Sequence, residues 1–414
     1  MIYDIVVVGG GAAGLCAAIC AKRKTKKCKV AILEALDRVG KKLITTGNGR
    51  CNITNREPAL SRYHSEAPEF VKSVLSAYTV SDTLSFFSSV GVEIVFSDDG
   101  KAYPSSLQAS SVVDALRFSA DEAGVETHCS CRLIDFVHTS GGFTLTTSLG
   151  KVFTKSLILA PGLLSGGAKI GSDGSVFELL KKHGYAAVPP TPSLVQLKTE
   201  TDITRQLKGI RFDCGAALFE NGRPVKSEYG EILFTEYGLS GPPVFQLSRA
   251  VSQKKAGFEI SLDLLPDVSA SRLSELLFKR RKVLSKRLTG DFLTGFLNKR
   301  VGQVILRKSG ADMNAPVSAI SPAVLSKTAE LIKDFRFRVT GTTGFANSQV
   351  SAGGISTAEF SPDTLESKRD AGLFAAGELL DVDGDCGGFN LQWAWSSAML
   401  AADSAVKFLR AQKQ

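Results

Sequence analysis

The fold turns on the stretch Ile5-Val6-Val7-Val8-Gly9-Gly10-Gly11-Ala12-Ala13-Gly14 and on an acid further along, Glu34. Ile5 to Val8 is a short apolar, β-branched run of the kind that forms a strand buried on both faces. Gly9, Gly11 and Gly14 fit the spacing G-x-G-x-x-G, Ala12 to Ala21 continue as an alanine-rich helix, and Lys29 to Leu33 form a second strand that ends in Glu34. Gly9 permits the sharp turn, Gly11 lets the backbone approach a pyrophosphate, and Gly14 lets the helix pack close to the sheet. The helix start at Ala12 and Ala13 offers unpaired N–H groups to the phosphates. Glu34 is placed to accept hydrogen bonds from ribose hydroxyls, which favours an adenine dinucleotide without a 2′-phosphate. Such glycine spacing alone also arises in ordinary turns; here strand, turn, helix, strand and acid agree in order.

Outward from that unit, residues 40–54 place three glycines among Lys, Arg, Thr and Asn. This reads as an ordered loop around a polar ligand, anchored by Leu43, Cys51 and Ile53. Lys42, Thr46, Gly47, Asn48, Gly49, Arg50, Cys51 and Asn52 are the residues expected against that ligand. Helical periodicity follows over 66–95 and a hairpin over 92–104. A helix is expected over 112–123, and strands near 125–137, 143–147 and 152–160. Ala160-Pro161-Gly162 is a glycine turn that could rest on the cofactor, and a helix is expected over 175–183.

Pro189-Pro190-Thr191-Pro192 reads as a stiff connector at a domain boundary. Short β-like segments over 194–264 fit an antiparallel barrel or sandwich. Helical patterns occupy 267–330, and a strand resumes at 335–341. Ser351 to Ile355 reads as a glycine turn. Gly372 to Glu378 reads as a buried strand closing on glycine and an acid. The loop from Leu379 through Gly387-Gly388 then leads into a long helix over 393–412. The N-terminus of that helix can stabilise negative charge on a reduced isoalloxazine ring. Gly377, Glu378, Asp381, Gly387, Gly388, Phe389, Asn390 and Leu391 complete the expected cofactor contacts, with Gly162.

At 414 residues, 43% hydrophobic and 22% charged, the chain has the composition of a soluble globular protein of two or three domains. No apolar run reaches the length of a membrane span and no cleavable signal opens the chain, so a cytoplasmic location is expected. The eight cysteines form no framework and are expected reduced. Cys16 and Cys20 read as core packing. Cys129 and Cys131 would point the same way from a strand, and no second pair completes a zinc site. The four histidines, His64, His128, His138 and His183, are scattered, so no metal is expected. A net charge of +9 makes a polyanionic partner possible, although runs such as 22–29 and 279–287 also suit solvated faces.

Three segments carry a family resemblance: GKKLITTGNGRCNIT at 40–54, GEILFTEYGLSGPPVFQLS at 230–248 and GLFAAGELLDVDGDCGGFNLQWAWSSA at 372–398. Over nearly its whole length the chain resembles the bacterial flavoproteins that include BaiN-type bile-acid reductases, aminoacetone oxidase and ribosomal RNA dihydrouridine synthase. The resemblance implies FAD held by an α/β, Rossmann-type domain of the glutathione-reductase kind, with an inserted β-barrel and a small helical subdomain. Those domains are expected at 1–189 with 335–414, at 190–266 with 315–334, and at 267–314. One departure is Ala160-Pro161-Gly162-Leu163 where the family usually has Ala-Thr-Gly-Gly, because proline removes an N–H there.

The implied activity is NAD(P)H-driven hydride transfer through flavin N5 to an electron-poor C=C or C=N bond. With no second G-x-G-x-x-G unit after a strand, NADH or NADPH is expected to bind transiently. Two further readings are a ribosomal RNA dihydrouridine synthase and a flavin-binding sensor without turnover. No motif identifies a proton donor; Cys386, Cys51, Tyr103 and Glu378 are the candidates. Substrate choice is expected to lie in 190–334 and the loops facing it. The partners expected are a small-molecule substrate, possibly ribosomal RNA, and no membrane. Oligomeric state is not legible.

Overall fold

The computed structural model describes residues 1–254 and 257–412. They fall into two compact units, Met1–Ser193 with Gly344–Gln414, and Leu194–Thr343. The first unit is built on a sheet whose spatial order is Glu126–His128, Val30–Leu33, Ile2–Val8, Gly150–Leu159, Gly142–Thr147 and Leu133–Thr139. The strand Gly150–Leu159 changes partner along its length. Its first half pairs antiparallel with Gly142–Thr147, and Leu157–Leu159 pair parallel with Leu373–Ala375. The strand Ile2–Val8 lies between two parallel neighbours, with Val8 opposite both Leu33 and Leu159. Ile5, Val6, Val7 and Val8 are buried, each contributing about 1.5–3 kcal/mol of apolar transfer.

Two helices complete this core. Helix Ala12–Lys24 packs along helix Phe389–Ala411. The latter has buried residues on every side, as a helix enclosed by its own domain must. Trp393 Nε1 donates to Gly377 O at 3.0 Å and Trp395 Nε1 to Ile53 O at 2.9 Å, so the C-terminal helix is fastened to both glycine-rich segments.

The second unit holds a closed barrel whose strands run Leu197–Thr199, Gly238–Ser240, Arg223–Phe234, Arg211–Glu220, Phe258–Asp263 and Phe335–Thr342 around the circuit. Alternate residues Cys214, Ala216 and Leu218 point inward with Ile232, Phe234, Ile260 and Leu262. Helices Ala270–Val283, Lys299–Lys308 and Pro322–Lys333 lie between the fifth and sixth of these strands in sequence and share the barrel's hydrophobic cluster.

Several expectations from the sequence are corrected. Pro189–Pro192 is no connector: Ala187–Ser193 is a strand antiparallel to Val350–Ile355, with a register shift between Val188 and Thr191 where prolines cannot donate to the ladder. Ser351–Ile355 is accordingly a strand and no turn. Residues 335–341 belong to the barrel, since Phe335–Thr342 pairs with Phe258–Asp263 and Leu197–Thr199. The segment 40–54 is part helical, with a short helix Lys41–Thr45 before the turn Thr46–Gly49. Residues 125–137 are two strands, separated by a turn in which Ser130 has φ 53°, so Cys129 and Cys131 occupy that turn.

Candidate functional site: a dinucleotide cradle in the first unit

The glycine turn behaves as its spacing requires. A Cβ on Gly9 would lie 2.3 Å from Ala160 O, and one on Gly14 would lie 1.8 Å from Gly9 O. Neither position admits a side chain. Gly11 is the opposite case, because a Cβ there meets no protein atom within 4 Å. Gly11 is also the N-cap of helix Ala12–Lys24, and no side chain caps that helix. The first N–H groups of the helix, at Ala12 and Ala13, thus have no side-chain cap beside a glycine with free space, which suits a pyrophosphate.

Glu34 forms the floor of this turn. Its Oε2 accepts from Gly10 N at 2.7 Å and its Oε1 from Leu36 N at 2.8 Å. Each oxygen keeps a further acceptor site, so the fixed carboxylate can still receive ribose hydroxyls. Gly171 lies beside it, with a Cβ position 3.8 Å from Oε1. Gly40 N donates to Gly10 O at 2.8 Å and so fastens the 40–54 segment to the first turn.

In that segment Gly47, Asn48, Gly49 and Cys51 all have positive φ. For Asn48 and Cys51 this is an uncommon conformation, of the kind that clusters at ligand-binding sites. A Cβ on Gly49 meets nothing within 4 Å. Thr46 Oγ1 donates to Leu43 O at 2.7 Å. The Arg50 guanidinium lies over the Tyr103 ring, 4.9 Å from its centroid. Asn52 is spoken for by the backbone. In the amide orientation that satisfies it, its oxygen accepts from Gly388 N and its nitrogen donates to Thr54 O and Ala102 O.

Lys42 differs from expectation. Its ammonium is ion-paired with Glu378 and also donates to Ser165 Oγ. Ser165 Oγ donates to Glu378 Oε1, which also accepts from Ser351 N at 3.0 Å. Neither charge is free for a ligand on its own; together they join four separated segments. Ser165 and Ser351 are the residues sequence reading missed here, although the glycine density around both was a signal.

Gly377 has φ 72°, and its N–H donates to Ser397 Oγ at 2.9 Å. Gly162 has φ 74°. Asp381 is buried and accepts from Glu66 N at 3.4 Å. Gly387 O accepts from Asn55 Nδ2 at 3.0 Å. Gly388, at φ 95°, is the N-cap of the C-terminal helix, which also lacks a side-chain cap. Phe389 is buried edge-on to Tyr63, and Leu391 is half-buried. Asn390 departs from its expected role: Oδ1 accepts from Gly384 N and Nδ2 donates to Gly384 O, both at 2.7 Å, so the side chain holds the loop.

The proton-donor candidates fare unequally. Cys51 is fully buried, and burial pushes its thiol up to about 12. Burial also raises Cys386. Tyr103 is half-buried beneath Arg50, and Glu378 is held by Lys42. A pair that sequence reading did not assemble joins the strand Tyr63–His64 to the loop before Gly388, where His64 Nε2 is 3.0 Å from Asp385 Oδ1. No group of three or more metal-ligating side chains exists among the described residues. Among the same residues no helix is long and apolar enough to cross a membrane.

A sheet with a parallel core, a glycine turn at its first strand, an acid at the second and a returning C-terminal helix defines a Rossmann-type FAD-binding fold, and the protein is a flavin-dependent oxidoreductase of the reductase type. More particularly, residues 3–404 match the HI0933-like protein Rossmann domain, and the chain belongs to that family. It is 36% identical over 97% of its length to a 3-dehydro-bile acid delta(4,6)-reductase of Clostridium scindens, 99% of which is covered. It is 30% identical over 96% of its length to a ribosomal RNA dihydrouridine synthase of Haemophilus influenzae, 97% of which is covered. Among solved structures, the 3-ketosteroid delta1-dehydrogenase of Sterolibacterium denitrificans superposes with a TM-score of 0.53 at 11% identity, covering 98% of this chain and 99% of the other. At that identity the likeness concerns the fold.

Proposed function

We propose that the first unit binds FAD and that the protein uses NADH or NADPH to reduce a C=C bond conjugated to a carbonyl group, or a comparable C=N bond, in the cytoplasm. The observation that carries this reading is the start of helix Ala12–Lys24, where no side chain caps the helix and a Cβ on Gly11 would meet no protein atom within 4 Å. That start would receive the pyrophosphate, and the start of helix Phe389–Ala411 at Gly388 the electron-rich edge of the reduced ring. Ala12, Ala13 and Gly14 would bind phosphate through their amides, and Glu34 would hold the ribose. The positive-φ turn 47–51 would lie along the flavin half, with Gly162 and Gly377. Flavin, when bound, supplies hydride at N5. The chain's own part is to hold ring and substrate in contact and to deliver a proton.

The two curated relatives support the choice of bond. A 3-oxo bile acid with Δ4,6 unsaturation and a uracil ring share a C=C bond conjugated to a carbonyl. A second reading, reduction of uridine in ribosomal RNA, is favoured by helix Ala270–Val283. Its exposed face carries Lys279 and Lys282 beside Phe278, and Lys286 and Arg287 follow. None of these four cations has an acidic partner among the described residues. RNA affinity that does not fall with salt would remove this reading. A sensor without turnover is removed by any steady-state reduction.

Anaerobic stopped-flow mixing with NADH and with NADPH tests the proposal. The yellow flavin should bleach, then recover on addition of a 3-oxo-Δ4 steroid acid or of uridine-containing RNA. Purified protein that is colourless and takes up no FAD, or bound flavin that neither nicotinamide bleaches, contradicts it.

A further inference from the structure

We propose that His64, oriented by Asp385, is the proton donor of the reduction, an inference that rests on the function proposed above. All four histidines of the chain sit beside an acid, so proximity by itself decides nothing. What separates His64 is the burial of its partner. The Asp385 side chain is 7% exposed, against 56%, 21% and 53% for Glu126, Asp370 and Asp135. A carboxylate out of water binds an imidazole more strongly and in one orientation.

The backbone fixes the pair. Tyr63–His64 and Asp383–Gly384 form a two-residue antiparallel ladder, with Asp383 opposite His64. Asp385 N donates to Arg62 O at 2.8 Å, and Arg62 places a guanidinium nitrogen 3.3 Å from Asp385 Oδ2. Asn390 brackets the intervening Gly384. Asp385 meets the ring, Asp383 stands opposite it in the ladder, and Arg62 lies on the far oxygen of Asp385. Three residues beyond Asp385 lies Gly388, the helix start assigned above to the flavin ring. The His64 side chain is 31% exposed, and Nε2 is the ring nitrogen that meets Asp385. Nδ1 is the nitrogen left for substrate. Of the other candidates, Cys51 is enclosed, Tyr103 lies under Arg50 and Glu378 is paired with Lys42, while Cys386 follows Asp385 on the same loop with its thiol held protonated by burial.

The step balances as follows. Hydride arriving at the β-carbon brings two electrons and one hydrogen, and the π pair of the C=C bond moves onto the α-carbon and carbonyl oxygen. The His64 Nδ1–H bond breaks, its electron pair stays on the ring, and a C–H bond forms at the α-carbon. The neutral ring keeps its Nε2–H on Asp385 and regains the Nδ1 proton from water. Asp385 is a positioning residue, since it holds the tautomer that leaves Nδ1 facing the reaction.

The test separates the two half-reactions in the holoenzyme. Flavin is photoreduced without oxygen, so no nicotinamide is needed, and reoxidation by a 3-oxo-Δ4 steroid acid is followed. His64→Gln should slow reoxidation by about 10²–10⁴-fold. Its bleaching by NADH or NADPH should stay within about twofold of wild type, since only the oxidative half-reaction uses this proton. Asp385→Asn should give a smaller loss, and His138→Gln, on the edge strand Leu133–Thr139 and paired with Asp370, should give none. In ¹⁵N-labelled flavin-free protein, neutral His64 should carry its proton on Nε2, and Asp385→Asn should mix the tautomers. Unchanged reoxidation in His64→Gln, equal slowing of both half-reactions, or an Nδ1–H tautomer in the wild type overturns the proposal. Wild-type enzyme that never passes electrons to the steroid overturns the proposed reduction itself.

Discussion

Lys42 and Glu378 stand 336 residues apart in the chain and form an ion pair that Ser165 also joins. Their side chains are 24% and 15% exposed, so the pair is screened from most solvent. It ties the start of the 40–54 segment to the end of the last parallel strand, so the two ends of the sequence meet at this pair.

Lys42→Met should therefore destabilise the first unit even without cofactor. Glu378 keeps Ser165 and the Ser351 amide as donors, so the cost should be about 1–3 kcal/mol rather than that of a stripped buried charge. Glu378→Gln should cost less in the Lys42→Met background than alone. Urea unfolding followed by tryptophan fluorescence reads this unit, since Trp393 and Trp395 both lie in it. Additive effects of the two substitutions would show that the pair is not coupled.

Gly11 and Gly14 should separate binding from folding. Gly11→Ala adds a methyl group to space free of protein atoms, at φ −82°, so the melting temperature of flavin-free protein should barely move. FAD affinity should fall about 10- to 100-fold, because overpacking costs about 1–3 kcal/mol where the pyrophosphate must approach. Gly14→Ala drives a methyl group into Gly9 O and should impair folding itself. Thermal melts with and without FAD distinguish the two, and a Gly11→Ala protein with wild-type flavin content would move the phosphate seat elsewhere.

The legible part of this protein was local. Gly9, Gly14 and Glu34 act within one strand–helix–strand unit, so their spacing carries their geometry. Pro189–Pro192 reads as a connector because nothing nearby in the sequence reveals a pairing partner at Val350–Ile355. Lys42 and Glu378 are each legible in their own segments, but the 336 residues between them hide their pairing. His64 lies in no motif, and only the ladder with Asp383–Gly384 brings it to Asp385.

Cys51 should leave a signature at high pH. Burial raises its thiol from the ordinary cysteine value, near 8.5 in an unfolded chain, to about 12 in the folded protein. Between those values the unfolded chain has released the proton and the folded one still holds it. Unfolding then releases a proton, and stability falls as pH rises, by up to about 1.4 kcal/mol per pH unit from this group. Cys51→Ala should flatten that fall between pH 9 and 11 by nearly one proton, whatever it does to stability at pH 7. Denaturant melts across the range measure the slope; identical slopes would show that Cys51 ionises in the folded state as it does unfolded.

Glu34 offers the sharpest division between holding the turn and holding the ligand. Its two oxygens serve two amides, Gly10 N and Leu36 N. Glutamine has one oxygen and one NH₂, so Glu34→Gln must turn a donor toward one of those amides. An unmet buried amide costs about 1–3 kcal/mol, and flavin-free protein should lose stability on that scale. If the carboxylate also binds the ribose, FAD affinity should fall by a further 10- to 100-fold, since hydrogen bonds to a charged group are worth about 1.5–3 kcal/mol. Glu34→Asp keeps the charge with a shorter reach and should lose less of both. Fluorescence titration with FAD, set beside melts of the flavin-free variants, separates the terms. A Glu34→Gln protein that melts early yet binds FAD as tightly as wild type would confine this acid to the turn and leave the ribose to other groups.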